Sequence, residues 1–314
     1  MSRIYEALQQ TSSGRVVTVI PEGERSDAVF SEQVRESVLD PNAALHAQLQ
    51  PSDREKLPAL FSKHAIASEQ FRLLATRLQQ LQQSRRFKSV LLTSALAGEG
   101  KSLVIANLAV SLAQGGQQRV LVVDADLRKP GLSPLFKLNG SIGLREWYQT
   151  NRPISEVTYR VPDVNVWVLP AGQAIVDPLE LLKSSRIADV VTSLTAVFDW
   201  VLIDSPPLLP LADAEILSRL SDGTMIVVRR EKSPKAALKQ ALERVAPSKM
   251  TGLLLNDFPL AGNYGYPQCV VDQRPDKARS GTPVFTLWNW TISARHRALR
   301  FCSIQLGRLA RRGA

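Results

Sequence analysis

Short apolar segments alternate with longer amphipathic stretches from residue 87 onward. The apolar segments predict β-strands at Ser89–Thr93, Arg119–Asp124, Val164–Leu169, Trp200–Asp204, Thr224–Arg229 and Gly252–Leu255. The stretches between them predict helices at Ser102–Gln114, Leu179–Thr195, Ala212–Leu220 and Pro234–Val245. Apolar strands separated by helices are typical of a parallel sheet covered on both faces. We therefore expect an α/β fold with a doubly wound, mainly parallel sheet.

The two ends of the chain lack this alternation. Residues 1–62 are polar and rich in turn residues, which predicts a mostly flexible leader. A helix is predicted next, with Ser68 as its cap and a buried stripe at Phe71, Leu74, Leu78 and Leu81. These patterns predict a folded domain over residues 63–266 and a separate C-terminal extension over residues 267–314.

The net charge of +10 is concentrated in that extension. From Lys277 onward it carries eight Lys and Arg side chains with no acidic residue among them, at Lys277, Arg279, Arg295, Arg297, Arg300, Arg308, Arg311 and Arg312. The rest of the chain is nearly balanced in charge, so the sequence argues against nucleic-acid binding. The extension is interpreted either as an amphipathic segment for an anionic membrane surface or as a disordered basic tail.

Composition excludes other classes of protein. Cys269 and Cys302 have no CxxC spacing, which argues against a zinc site or a disulfide scaffold. No apolar run approaches the roughly 20 residues that span a bilayer, and the N-terminal segment does not resemble a secretory signal. We expect a cytoplasmic protein, with a peripheral position at the inner face of the plasma membrane.

The segment VLLTSALAGEGKS, residues 90–102, has the order strand, glycine-containing loop and helix. Gly98 and Gly100 allow the backbone to approach phosphates, and Lys101 is placed to reach the β- and γ-phosphates of a nucleotide. Ala95 occupies the position of the usual first glycine. The residues expected to surround the nucleotide phosphates are Ala97, Gly98, Glu99, Gly100, Lys101, Ser102 and Leu103.

Carboxylates follow two other predicted strands. Asp124 and Asp126 end the segment VLVVDADLRKP, and Asp204 ends the strand in VLIDSPP. A single aspartate in this position is more often a turn residue or a helix cap. Because ligands gather at the carboxyl ends of parallel strands, three such aspartates together with the glycine loop predict one nucleotide site.

These segments resemble the Walker A, A′ and B elements of bacterial tyrosine autokinases, a family close to the septum-positioning and chromosome-partition ATPases. Those ATPases carry an additional lysine early in the loop, where this chain has Leu96. The opening SRIYEAL, LPAG at 169–172 and DPLELL at 177–182 are similar to autokinases encoded beside exopolysaccharide chain-length genes. The resemblance covers residues 1–8 and 68–266.

The resemblance implies an enzyme, a non-specific protein-tyrosine kinase that uses ATP and Mg²⁺. Lys101 would neutralise the transferred phosphoryl group, and Ser102 with Asp204 and Asp124 would hold the metal. Asp124 and Asp126 would lie where a tyrosine hydroxyl arrives, with Asp124 preferred as the group that assists its deprotonation. By the same resemblance Asn256 contacts adenine; as a residue ending a strand it is equally well explained as a turn residue.

The resemblance also implies partners. Glu69 and Arg72 match two positions of an ExxRxxR interface helix, whose third position is Ala75, and Arg128 is a further interface candidate. Tyr264 and Tyr266 occupy the place of the tyrosine cluster that a neighbouring subunit phosphorylates, and they are either acceptors or ordinary loop aromatics. The expected activator is a membrane chain-length protein, a polysaccharide co-polymerase.

Two other functions remain open at the level of sequence. The strongest rival to the kinase is an ATPase switch, in which the same site hydrolyses ATP without phosphorylating tyrosine. A scaffold of the polysaccharide machinery, with no catalytic activity, is the third interpretation.

Overall fold

The computed structural model describes residues 44–47, 57–61, 66–85, 87–174, 177–230, 232–256 and 284–286. The strands in these residues form one nine-stranded sheet in the order β1-β4-β5-β3-β6-β2-β7-β8-β9. Their bounds are β1 Leu45–His46, β2 Ser89–Ser94, β3 Val120–Asp124, β4 Tyr159–Arg160, β5 Val166–Leu169, β6 Trp200–Asp204, β7 Gly223–Arg229, β8 Met250–Asn256 and β9 Val284–Thr286.

Every strand pair in this sheet is parallel except β4 with β5. The predicted doubly wound, mainly parallel sheet is therefore confirmed. Strands β2, β3 and β6 lie at its centre and are buried along their whole length. They are apolar on both faces because helices cover both sides.

Helices pack on the two faces in separate groups. Helices α1, α2 and α3 contribute to the core on one face, and helices α4 to α7 contribute to the core on the other. Helix α8 packs near β7 and β8 in a third cluster. The bounds are α1 Pro58–Phe61, α2 Ile66–Arg85, α3 Lys101–Ala113, α4 Leu144–Thr150, α5 Leu179–Lys183, α6 Ser185–Val197, α7 Asp213–Leu220 and α8 Lys235–Glu243.

The helix predicted ahead of the domain is α2, and its start differs from the prediction. Ser68 lies within the first turn of a helix that begins at Ile66, and its side chain is fully buried, so the assignment of Ser68 as a cap is wrong. The predicted stripe is confirmed, since Leu74 and Leu78 are buried in the core and Phe71 and Leu81 pack against it.

The helix predicted over Leu179–Thr195 is two helices, α5 and α6. Ser184 separates them in an extended conformation, with ψ at 145°. Its hydroxyl donates a hydrogen bond to the Leu181 carbonyl oxygen at 2.7 Å. A serine competes for backbone groups in this way without leaving the glycine or proline signal on which the prediction depended.

Parts of both predicted tails belong to the folded domain. Residues 45 and 46 form β1 beside β4, and Leu57 and Ala59 are buried in the core, so the leader prediction is wrong for these segments. Strand β9 pairs with β8 although it lies within the predicted C-terminal extension. A helix able to span a bilayer is not found in the part of the chain that the structure describes.

Candidate active site

The loop between β2 and α3 has a backbone that requires glycine. Gly98 has φ of 80° and Gly100 has φ of 91°, and a side chain at residue 100 would collide with the Asn256 amide. The first intrahelical hydrogen bond runs from the Val104 N–H to the Gly100 carbonyl oxygen at 3.0 Å. The N–H groups ahead of Val104 have no intrahelical partner and add to the positive end of the α3 dipole. This loop is therefore suited to bind an anion.

Helix α3 presents Lys101 and Ser102 at the start of a nearly enclosed helix. The Lys101 side chain is 8% exposed, and most of the residues that follow it in α3 are buried. Its ammonium group lies near Asp126 and Asp204 and lowers the pKa of both carboxyls, although burial, the larger effect, raises them. The cation is therefore held at the carboxylate edge of the sheet.

Asp124 and Asp204 end neighbouring parallel strands in register. Their Cα atoms are paired across β3 and β6, and both side chains are completely buried. Asp124 Oδ2 accepts hydrogen bonds from the backbone N–H groups of Gly131 at 3.1 Å and Leu132 at 2.9 Å, and its Oδ1 accepts one from the Asp126 N–H at 3.2 Å. Lys101, Asp124 and Asp204, which were predicted from three separate motifs, thus lie at one edge of the sheet.

Asp204 differs from Asp124 in its partners. Neither of its carboxylate oxygens has a partner within hydrogen-bonding geometry among the described residues. The Ser102 hydroxyl is close enough to lower its pKa, but burial dominates and raises that pKa to about 7. A buried carboxylate without a partner is costly, so its presence points to a ligand that the fold itself does not supply.

Burial also raises the pKa of Asp124 well above its usual value, and the neighbouring Asp204 carboxylate raises it further. Two carboxylates this close in a low-dielectric site do not both ionise readily. A cation placed between them would remove this repulsion, and carboxylate and hydroxyl oxygens are the ligands that Mg²⁺ prefers. Asp124, Asp204 and Ser102 therefore fit a Mg²⁺ site.

Asp126 has a more open position than the other two aspartates. It is partly exposed, and its Oδ1 accepts a hydrogen bond from the Lys129 N–H at 3.0 Å. Burial is the main cause of its raised pKa, and Asp213 adds to the rise. Asp126 is thus the carboxylate of this site that a substrate in solution can reach.

Gly131 closes the β3 loop over the site and was not identified from the sequence. A Cβ at this position would lie 2.9 Å from Ser102 Cβ and 3.7 Å from Asp204 Oδ2. Only glycine permits this approach, which also places the residue 131 N–H on Asp124. The glycine in RKPGL gave no local signal, because its requirement arises from packing against α3 and β6.

Arg128 lies near the Asp126 carboxylate and is held by Asp213, an acidic residue that was not identified from the sequence. Its Nε donates to Asp213 Oδ2 at 2.7 Å and its Nη2 to Asp213 Oδ1 at 3.3 Å. Asp213 is 2% exposed at the start of α7, and Asp177 lies 4.0 Å from Arg128. Arg128 is thus paired with Asp213 of its own chain, and its place at an interface stays a prediction.

The other predicted residues are placed as follows. Asn256 Nδ2 donates to the Glu99 carbonyl oxygen at 3.0 Å, so it contacts the loop backbone. Glu69 and Arg72 form a partly exposed ion pair at 2.8 Å on α2, and Ala75 on the same helix is buried. Tyr264 and Tyr266 lie outside the described residues.

Comparison with known proteins places this geometry in a family. Residues 87–265, more than half of the chain, match the family model of cellulose biosynthesis protein BcsQ. The chain is 35% identical over 212 residues to the tyrosine-protein kinase YwqD of Bacillus subtilis strain 168, covering 66% of this chain and 89% of YwqD. It is 34% identical over 208 residues to the putative tyrosine-protein kinase CapB of Staphylococcus aureus, covering 63% of this chain and 88% of CapB.

Among solved structures, the fold is similar to the chimerical protein CapA2B2. The TM-score is 0.62 at 27% identity, over 73% of this chain and 100% of CapA2B2. The chain therefore belongs to the P-loop family of cellulose biosynthesis protein BcsQ, in the branch of the bacterial tyrosine-protein kinases.

Proposed function

We propose that this protein is a MgATP-dependent protein-tyrosine kinase that phosphorylates itself and thereby regulates exopolysaccharide polymerisation or export. The observation that carries the proposal is the buried Asp204 carboxylate beside Ser102 and Lys101, to which the described part of the chain supplies no hydrogen-bond partner. A metal bound to the triphosphate is the ligand that this arrangement accommodates. The family supports tyrosine as the acceptor.

The phosphate loop binds and orients ATP. The N–H groups at the start of α3 meet the phosphates, and Lys101 offsets the charge of the group being transferred. Ser102, Asp204 and Asp124 would hold Mg²⁺, which when bound offsets negative charge on the β- and γ-phosphates. The burial of Lys101 strengthens its interaction with phosphate, because little water screens it.

Transfer requires a tyrosine oxygen to attack the γ-phosphorus while the bond from that phosphorus to the β,γ-bridging oxygen breaks. ADP leaves, and the phenolic proton passes to a carboxylate. The sequence favoured Asp124 for this role, but Asp124 is completely buried and accepts three backbone hydrogen bonds. We assign proton acceptance to Asp126, which is partly exposed and has a raised pKa.

The acceptor and the activator are proposed on the family resemblance. Tyr264 and Tyr266 of one copy would enter the site of another copy. A membrane co-polymerase would supply a cytoplasmic segment that activates the enzyme at the inner face of the membrane. The basic extension would contact anionic lipid, and truncation after Asp276 should then reduce binding to vesicles that contain phosphatidylglycerol.

The test follows the phosphate from ATP. Wild-type protein and Lys101→Met are incubated with Mg²⁺ and γ-labelled ATP, and label on protein and label released as phosphate are measured separately. We expect phosphotyrosine at Tyr264 or Tyr266 by mass spectrometry in the wild type, and a loss of at least 100-fold in Lys101→Met. Lys239→Met, at an exposed position on α8, is the matched control.

The other functions predict different results. Release of labelled phosphate with no phosphotyrosine anywhere in the chain would replace the kinase with an ATPase switch. Absence of nucleotide binding would leave only a scaffold. Equal labelling of wild type and Lys101→Met would refute the proposed site.

A further inference from the structure

Glu99 places a carboxylate inside a loop whose ligand is negatively charged. Its side chain is 1% exposed and is directed away from solvent. One oxygen accepts the Leu96 N–H at 3.2 Å, and the other accepts a hydrogen bond from the Ser233 hydroxyl. The Ser233 oxygen in turn accepts the Arg229 N–H at 2.9 Å. The phosphate loop is thus connected through Glu99 to the segment between β7 and α8.

Two loop carbonyl groups are held from the same side. The Gly98 oxygen accepts a hydrogen bond from the Arg229 guanidinium at 3.4 Å, and the Glu99 oxygen accepts one from Asn256 at 3.0 Å. In a trans peptide the C=O and the following N–H point in opposite directions. The N–H groups of Glu99 and Gly100 therefore point away from Arg229 and Asn256.

We propose that the hydrogen bond between Glu99 and Ser233, the Glu99–Ser233 clasp, holds the loop in the conformation that presents these N–H groups to phosphate. Glu99 is then a positioning residue, and its side chain has no contact with the nucleotide. A carboxylate near phosphate weakens binding by repulsion, so its presence in this loop requires another purpose that offsets this cost. Its burial and its hydrogen bonds to the loop and to Ser233 supply that purpose. This inference rests on the proposed binding of ATP.

The test separates binding from catalysis in Glu99→Ala, Ser233→Ala and the double variant. The dissociation constant is measured with methylanthraniloyl-ATP, and KM, kcat and Tm are measured in parallel. We expect each single variant to bind about tenfold more weakly, because hydrogen bonds to charged groups contribute on this scale. The double variant should bind no more weakly than Glu99→Ala, since both changes break one contact. We expect kcat to change less than about threefold.

A conservative variant and a distant control complete the design. Ser233→Thr retains the hydroxyl and should restore affinity. Ser193→Ala removes a hydroxyl that donates to the Asp189 carbonyl within α6, and it should leave affinity unchanged. A clasp with no positioning role would lower Tm without changing the dissociation constant.

The failures are distinguishable. If the wild type binds the analogue and Glu99→Ala binds equally well or better, the clasp is refuted and the proposed function stands. A loss of affinity in the double variant that equals the product of the two single losses would likewise refute it. A wild type that binds no nucleotide overturns the proposed function and the clasp with it.

Discussion

Asp204 is predicted to destabilise the protein that it serves. Its pKa is raised to about 7 from the usual 3.8 of an aspartate, chiefly by burial. A carboxyl whose pKa is higher in the folded state opposes folding once it ionises, so the free energy of unfolding falls as the pH rises from about 4 to about 7. This rise in the pKa corresponds to a loss of roughly 4 kcal/mol of folding free energy at most. We expect the ionised carboxylate to destabilise the fold by about 2–4 kcal/mol, since the structure relaxes around a buried charge.

The substitution Asp204→Asn should therefore stabilise the protein free of nucleotide and metal. Measured at pH 8 in EDTA, the Tm should rise by roughly 5–10 °C for a domain of this size. The gain should shrink toward pH 5, where the wild-type carboxyl is protonated. Mg²⁺ with ATP should raise the Tm of the wild type and leave the Tm of Asp204→Asn unchanged. The variant should also lose kinase activity.

Asp222 is the matched control with the opposite sign. Burial would raise the pKa of Asp222, but hydrogen bonds from the Ser89 and Lys88 N–H groups outweigh it, and the pKa is lowered. Asp222→Asn should therefore lower stability at pH 7, and that loss should disappear as the pH falls below about 4. If Asp204→Asn and wild type have the same Tm from pH 5 to 9, the carboxylate is not an unpaired buried charge and the reasoning fails.

Two further substitutions test the surroundings of the site. Gly131→Ala should lower kcat/KM by about 100-fold, because its Cβ would lie 2.9 Å from Ser102 Cβ and displace the loop; Gly140→Ala, which has open space but φ of 77°, should lower stability by about 1 kcal/mol and retain activity. Asp213→Asn should cost about 1–3 kcal/mol in urea unfolding, because Arg128 loses its charged partner. Wild-type kcat/KM in Gly131→Ala, or an unchanged unfolding midpoint in Asp213→Asn, would contradict these expectations.

The central sheet was predictable because its signals are local. Strands β3 and β6 are apolar runs that end in Asp124 and Asp204, and the order of strand, loop and helix around Lys101 is contained in thirteen consecutive residues, Val90–Ser102. Parallel pairing then brings the strand ends together whatever the details of the helices. These features determine the fold class and bring the candidate site residues to one edge of the sheet.

The supporting residues were not predictable, because each depends on contacts between distant segments. Ser233 meets a loop residue 134 positions away, and Asp213 meets a residue 85 positions away. Leu57 is buried in the segment LPALF, which is too short to show a helical period and contains a proline. The sequence near Ser233 and Asp213 contains no motif that marks either residue as a partner of the site.

Helix α3 is enclosed along almost its whole length, and α1 and α2 provide the cover on one side. The Glu69–Arg72 pair lies on α2, which packs against the helix that carries Lys101. Protein interiors have low compressibility and transmit strain between packed elements. A neighbouring copy that bound at α2 would therefore act through direct packing on the helix that begins at Lys101.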